Sequence, residues 1–99
     1  MKWPNPVPVY HMTIPIQLEL FDDDQFGEFH ETQNGYSIGI SGEIPEGEKD
    51  LTVAHEILHS WFRISGLVGL VGDHEETLCD GLAPLLCQLI KEYQNGEDR

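Results

Sequence analysis

The sequence predicts a single α+β domain, a small antiparallel or mixed sheet packed on two helices. Three observations predict it. Ile14, Ile16, Leu18 and Leu20 alternate with Pro15, Gln17 and Glu19, the period of two of a half-buried strand. Asn34-Gly35 lies between two further alternating segments and marks a hairpin. From Leu51 to Ile64 the apolar residues cover most of a helical circumference. They leave one narrow polar stripe of Thr52, His55, Glu56, His59 and Arg63, spaced by threes and fours.

The 99 residues make one domain, residues 1–99, with room for one modest core. Residues 1–12 read as an extended N-terminal arm, because Pro4, Pro6 and Pro8 force an extended chain and remove every second donor. The first strand follows at 13–20, with Pro15 at a sheet edge or near the strand's start. Phe21-Asp22-Asp23-Asp24 ends it. Its three carboxylates lack the glycine and second-ligand pattern of a calcium loop and read as a solvated turn.

The hairpin pairs 26–33 with 36–42 around Asn34-Gly35, so Gln33 faces Tyr36, Glu31 faces Ile38 and Phe29 faces Ile40. One face is then apolar (Phe29, Tyr36, Ile38, Ile40) and the other polar (His30, Thr32, Ser37, Ser41). Gly39 leaves room for another backbone to approach. The first helix begins between Glu46 and Asp50, where acids favour the positive end of the helix dipole, and stops at the left-handed cap Gly66. The glycine-punctuated stretch 66–72 is either a packed loop or a mobile flap. A second helix runs from Asp73 towards Tyr93 with Leu78, Leu82, Leu85, Leu86, Leu89 and Ile90 buried and a kink or break at Pro84. Residues 94–99 are a frayed tail.

The formal charge of −13, with only five Lys and Arg, argues against a nucleic-acid or anionic-membrane partner. No stretch approaches a membrane span. Cys79 and Cys87 lie eight apart in one helix, roughly 12 Å along its axis, too far for a disulfide in an unbroken helix. Reduced buried thiols, and an N-terminus that leads into prolines rather than an apolar run, make the expected compartment cytoplasmic.

The chemistry concentrates in His55-Glu56-Ile57-Leu58-His59. Imidazoles four apart on a helix share a face and reach one ion. The Glu after the first His stands beside that ion and takes a proton from water activated by it. The plain alternative is two half-buried core histidines and an incidental Glu. A catalytic site needs a third protein ligand, and His74, Glu75, Glu76 and Asp80 are the candidates. Glu76 is preferred, because Asp80 one turn later can accept the other ring N–H of a ligand His. Against it, Asp73 and Glu76 also fit a capping box.

His55-Glu56-Ile57-Leu58-His59 followed by Glu76-Thr77-Leu78-Cys79-Asp80 resembles the HExxH…ExxxD arrangement of gluzincin metallopeptidases, a branch of the zincins. The short chain and the lead-in Leu51-Thr52-Val53-Ala54 look like small phage- or prophage-type zincins related to the ImmA/IrrE group. The resemblance implies one Zn2+ on His55, His59 and Glu76, Glu56 as general base and Asp80 behind a ligand. It also implies that strand 36–42, with Ser37, Gly39 and Ser41, aligns an extended peptide at the sheet edge. The expected protein is a zinc-dependent peptidase acting on a peptide or protein substrate. Two other readings stand beside it: a catalytically silent zinc-stabilised binding or adaptor module, and a non-peptidase metallohydrolase. The His59-to-Glu76 linker is short for a gluzincin. The metzincin extension is missing, with Phe62 where its glycine belongs. No second-domain His or Tyr is read for the oxyanion; His74, His30 and Tyr93 are the substitutes.

Overall fold

A computed structural model describes residues 2–21 and 25–97, so the expected Asp22–Asp24 turn lies outside the described residues. The fold is α+β. Strands β1 (Val7–Val9) and β2 (Met12–Ile14) form an antiparallel ribbon. Strands β3 (Ile16–Glu19), β4 (Gly27–Thr32) and β5 (Gly35–Ser41) form a mixed sheet in the order β3-β5-β4. Helices α1 (Glu46–Ser65) and α3 (Glu75–Glu97) pack on each other, joined by the single-turn α2 (Val68–Val71) and a 3-10 turn at Gly72–His74. The stretch left open between loop and flap is therefore largely helical turn. Among the described residues no helix is long and apolar enough to cross a membrane.

The N-terminal segment is more than an arm. Val7 and Val9 are buried and join Ile14, Ile38, Ile40 and Val53 in the core. Pro15 explains why the expected 13–20 strand is two. With no N–H to donate, it separates β2 from β3, and its carbonyl accepts from Ile38 N at 2.9 Å. β3 then runs parallel to β5, with Gln17 opposite Gly39. The Asn5 side chain secures this turn, accepting from Ile16 N at 2.9 Å and donating to Ile16 O at 2.7 Å. Leu18 and Leu20 are exposed, contrary to the half-buried expectation. Within the three-stranded sheet α1 packs on β4 and β5, and β3 has little helix over it.

The hairpin forms with its register shifted by two: Phe29 faces Ile38, Glu31 faces Tyr36 and Thr32 faces Gly35. The turn is Gln33-Asn34. Thr32 Oγ1 accepts from Asn34 N at 3.3 Å and donates to Gly35 O at 3.2 Å. The positive φ falls on Gly35 (131°) and not on Asn34. A shift of two leaves every side chain on its expected face. The room above Gly39 is taken by a side chain rather than a backbone. A Cβ there would stand 1.9 Å from Glu19 Oε2, which pairs with His30 Nε2 at 2.9 Å.

α1 ends as expected on Gly66 (φ 82°), whose N–H reaches Arg63 O at 3.4 Å. α3 continues through Pro84 without a break. Its buried face is not the leucine set. Cys79 and Ala83 are buried, whereas Leu78, Leu82, Leu85 and Leu89 are exposed. A helix apolar on nearly every side offers several seams, and small side chains allow the closest approach to α1. Cys79 and Cys87 are free thiols.

Candidate metal centre

Helix periodicity puts Thr52, His55, Glu56, His59 and Arg63 of α1 along the floor of a cleft of about 720 Å³. One wall is the start of β4 (Gly27 to Phe29), and the other is Glu75, Glu76, Asp80, Ala83 and Pro84 of α3. At the narrowest part three donors meet. His55 Nε2 lies 2.8 Å from Glu76 Oε1, His59 Nε2 lies 3.0 Å from Glu76 Oε2, and the two Nε2 atoms are 3.1 Å apart. These ligand atoms all lie within 4.8 Å of one another, a grouping able to hold one metal ion.

The other ring nitrogens are engaged as well. His55 Nδ1 is 3.1 Å from Asp80 Oδ1, and His59 Nδ1 is 2.5 Å from Glu75 Oε2. A carboxylate is an acceptor, so with an ion on the Nε2 side each Nδ1 would carry the proton and donate it. In the neutral rings that arrangement turns two Nε2 lone pairs and a carboxylate towards one point. Three acceptors so close are stable only with positive charge among them, a metal ion or added ring protons. The donor set therefore fits a cation.

Glu76 does not cap its own helix, since its carboxylate spans the two histidines. Glu75 is the residue sequence reasoning misplaced, as an alternative ligand. Adjacent helical residues point about 100° apart, so Glu75 reaches the far side of His59 while Glu76 reaches the near sides of both rings. The signal was present in two consecutive acids opposite two histidines. Glu56 is 8% exposed. Burial, the larger influence, raises its carboxyl above the usual range, and the His55 and His59 rings pull it back.

Several expected auxiliaries lie elsewhere. His74 is exposed on the 3-10 turn and takes no part in lining the cleft. Tyr93 stands 17 residues beyond Glu76 on the same helix, about 25 Å away along the axis. His30 is paired with Glu19 on the sheet. Ser37, Gly39 and Ser41 lie on β5, the middle strand, whose two edges are taken by β3 and β4. The expected aligning strand is thus corrected: β4 borders the cleft, and among the described residues it pairs only with β5. Compared with family models, with curated proteins and with solved structures, the chain matches none.

Proposed function

We propose that the chain is a zinc-dependent peptidase in which His55, His59 and Glu76 hold one Zn2+ and Glu56 is the general base. The observation that carries this reading is the convergence of two Nε2 atoms and the Glu76 carboxylate while both Nδ1 atoms lie against other carboxylates. Two imidazoles and one carboxylate are a donor set of catalytic zinc, which takes three protein ligands and keeps one position open. Bound there, zinc supplies Lewis acidity, lowering the pKa of water and polarising a carbonyl.

The chain's own groups do the rest. Asp80 and Glu75 fix the ring tautomers and present Nε2 inward. Glu56, buried beside the rings, takes the proton of the attacking water and returns it to the leaving amine. Its burial keeps bulk water from competing for that proton, and its position next to His55 in the chain puts it beside the ligand rings. The β4 edge away from β5, which has no strand partner among the described residues, would offer backbone N–H and C=O groups to an extended peptide, which favours peptides over small amides.

Metal analysis of the purified protein, its Glu76→Ala variant and its Glu56→Gln variant tests the reading. Wild type is expected to hold one zinc per chain and cleave extended peptides, Glu76→Ala to lose the metal, and Glu56→Gln to keep the metal and lose hydrolysis. Undiminished zinc in Glu76→Ala overturns the ligand set. Undiminished hydrolysis in Glu56→Gln overturns the mechanism.

A further inference from the structure

We propose that Arg63 is an anion-binding subsite of the cleft, selecting a substrate carboxylate about two residues from the scissile bond. This inference rests on the peptidase reading and names a substrate class for that site. Arg63 follows His59 by four residues, on the same face of α1, and is the only Lys or Arg among the described residues that line the cleft. The other charged side chains there are carboxylates, Glu28, Glu48, Glu56, Glu75, Glu76 and Asp80. A substrate carboxylate is repelled along most of the cleft and attracted at one end of it. Selection is therefore positional rather than general.

Arg63 is also available. Among the described residues its ion-pair partner is Glu31, on β4, with Nη1 to Oε2 at 3.8 Å and both side chains about half exposed. That is longer than a hydrogen bond, and exposed pairs of this kind are weakly held. An incoming carboxylate that accepts two N–H bonds from the planar guanidinium is the better partner. The distance sets the position. One helical turn past His59 is roughly 6 Å, which extended chain covers in about two residues at about 3.3 Å each. A carboxylate reaches that point as an Asp or Glu side chain or as the C-terminal group of a short leaving peptide.

Fluorescein-labelled octapeptides of Ala, Gly and Leu, with Asp at each position in turn, with Asn in its place, and with free or amidated C-termini, test the proposal. Binding is read by anisotropy on the zinc-loaded Glu56→Gln protein and cleavage on wild type. One Asp position is expected to bind about threefold to tenfold more tightly than its Asn counterpart. Arg63→Gln should bring that ratio near one, Arg63→Lys should keep part of it, and Glu31→Gln, which removes the competitor, should raise it. If amidation instead abolishes the advantage, the C-terminal carboxylate is the source and the subsite stands. Equal binding of Asp and Asn at every position together with no effect of amidation overturns the proposal, as does a preference that survives in Arg63→Gln with zinc content and melting temperature unchanged. Preferential binding without cleavage by wild type leaves the anion site standing and removes the peptidase reading.

Discussion

If the proposed metal centre holds zinc, removing Glu75 should weaken it more than removing Asp80, although Asp80 belongs to the ExxxD spacing read from the sequence and Glu75 does not. Each carboxylate accepts the Nδ1 proton of one ligand histidine, so Glu75→Gln and Asp80→Asn perturb equivalent bonds. Their surroundings differ. The Glu75 side chain is 19% exposed, against 69% for Asp80. A hydrogen bond to a charged group contributes about 1.5–3 kcal/mol where water does not compete, whereas an exposed pair contributes about 0–1 kcal/mol. Glu75→Gln should therefore lower zinc affinity by about 10- to 150-fold, and Asp80→Asn by about fivefold or less. Competition titration against a chromophoric chelator at fixed pH and salt measures both. An Asp80→Asn loss equal to or greater than that of Glu75→Gln would refute the argument that burial sets the strength of these supports. No loss in either variant would remove the tautomer assignment itself.

Two further outcomes follow from α3. Burial, helped by the nearby Glu75 and Glu76 carboxylates, pushes the Cys79 thiol from 9.0 up to about 12. The folded state thus keeps a proton that the unfolded state releases. Cys79 contributes stability that is complete below pH 9 and lost as pH rises from 9 towards 12, by up to about 1.4 kcal/mol per pH unit. Urea unfolding at pH 8, 9 and 10 should show a steeper loss in wild type than in Cys79→Ala, and parallel slopes would contradict it. Pro84 sits at an exposed interior position of α3 and deprives the Asp80 carbonyl of its ladder donor. Pro84→Ala should raise stability by about 1–3 kcal/mol, read as a higher melting temperature.

The α+β class was legible in the sequence, and so was the helix face on which the candidate residues gather. A spacing of four puts side chains on one face of a helix, and the polar stripe from Thr52 to Arg63 lines the cleft. Strand register is less local. Asn34-Gly35 announced a turn, but the Thr32 hydroxyl draws the turn back onto Gln33-Asn34, a competition that residue preferences do not resolve. The β1–β2 ribbon was hidden because alternating prolines read as an arm, although Pro8 is exposed between the buried Val7 and Val9. The buried face of α3 was unreadable from hydropathy, because its leucines lie on more than one side. Backbone approach decided it, at Cys79 and Ala83. Glu75 was misplaced for a different reason. Its role depends on the angle at which α3 meets α1, a tertiary quantity.

That angle ties the chemistry to the fold. The first turns of α3 engage all four nitrogens of two rings on α1: Glu76 at both Nε2 atoms, Glu75 at one Nδ1 and Asp80 at the other. Glu75 and Glu76 occupy the positive end of the α3 dipole, where carboxylates are favoured before any partner is considered. Closing them on one site nevertheless brings negative charges together in a chain of net charge −13. The buried Cys79 and Ala83 let the helices come close enough for this, and a cation at the convergence point would offset the repulsion that remains. An ion held there would also clasp α1 to α3, so α2 and the 3-10 turn between them have little to do beyond reversing the chain.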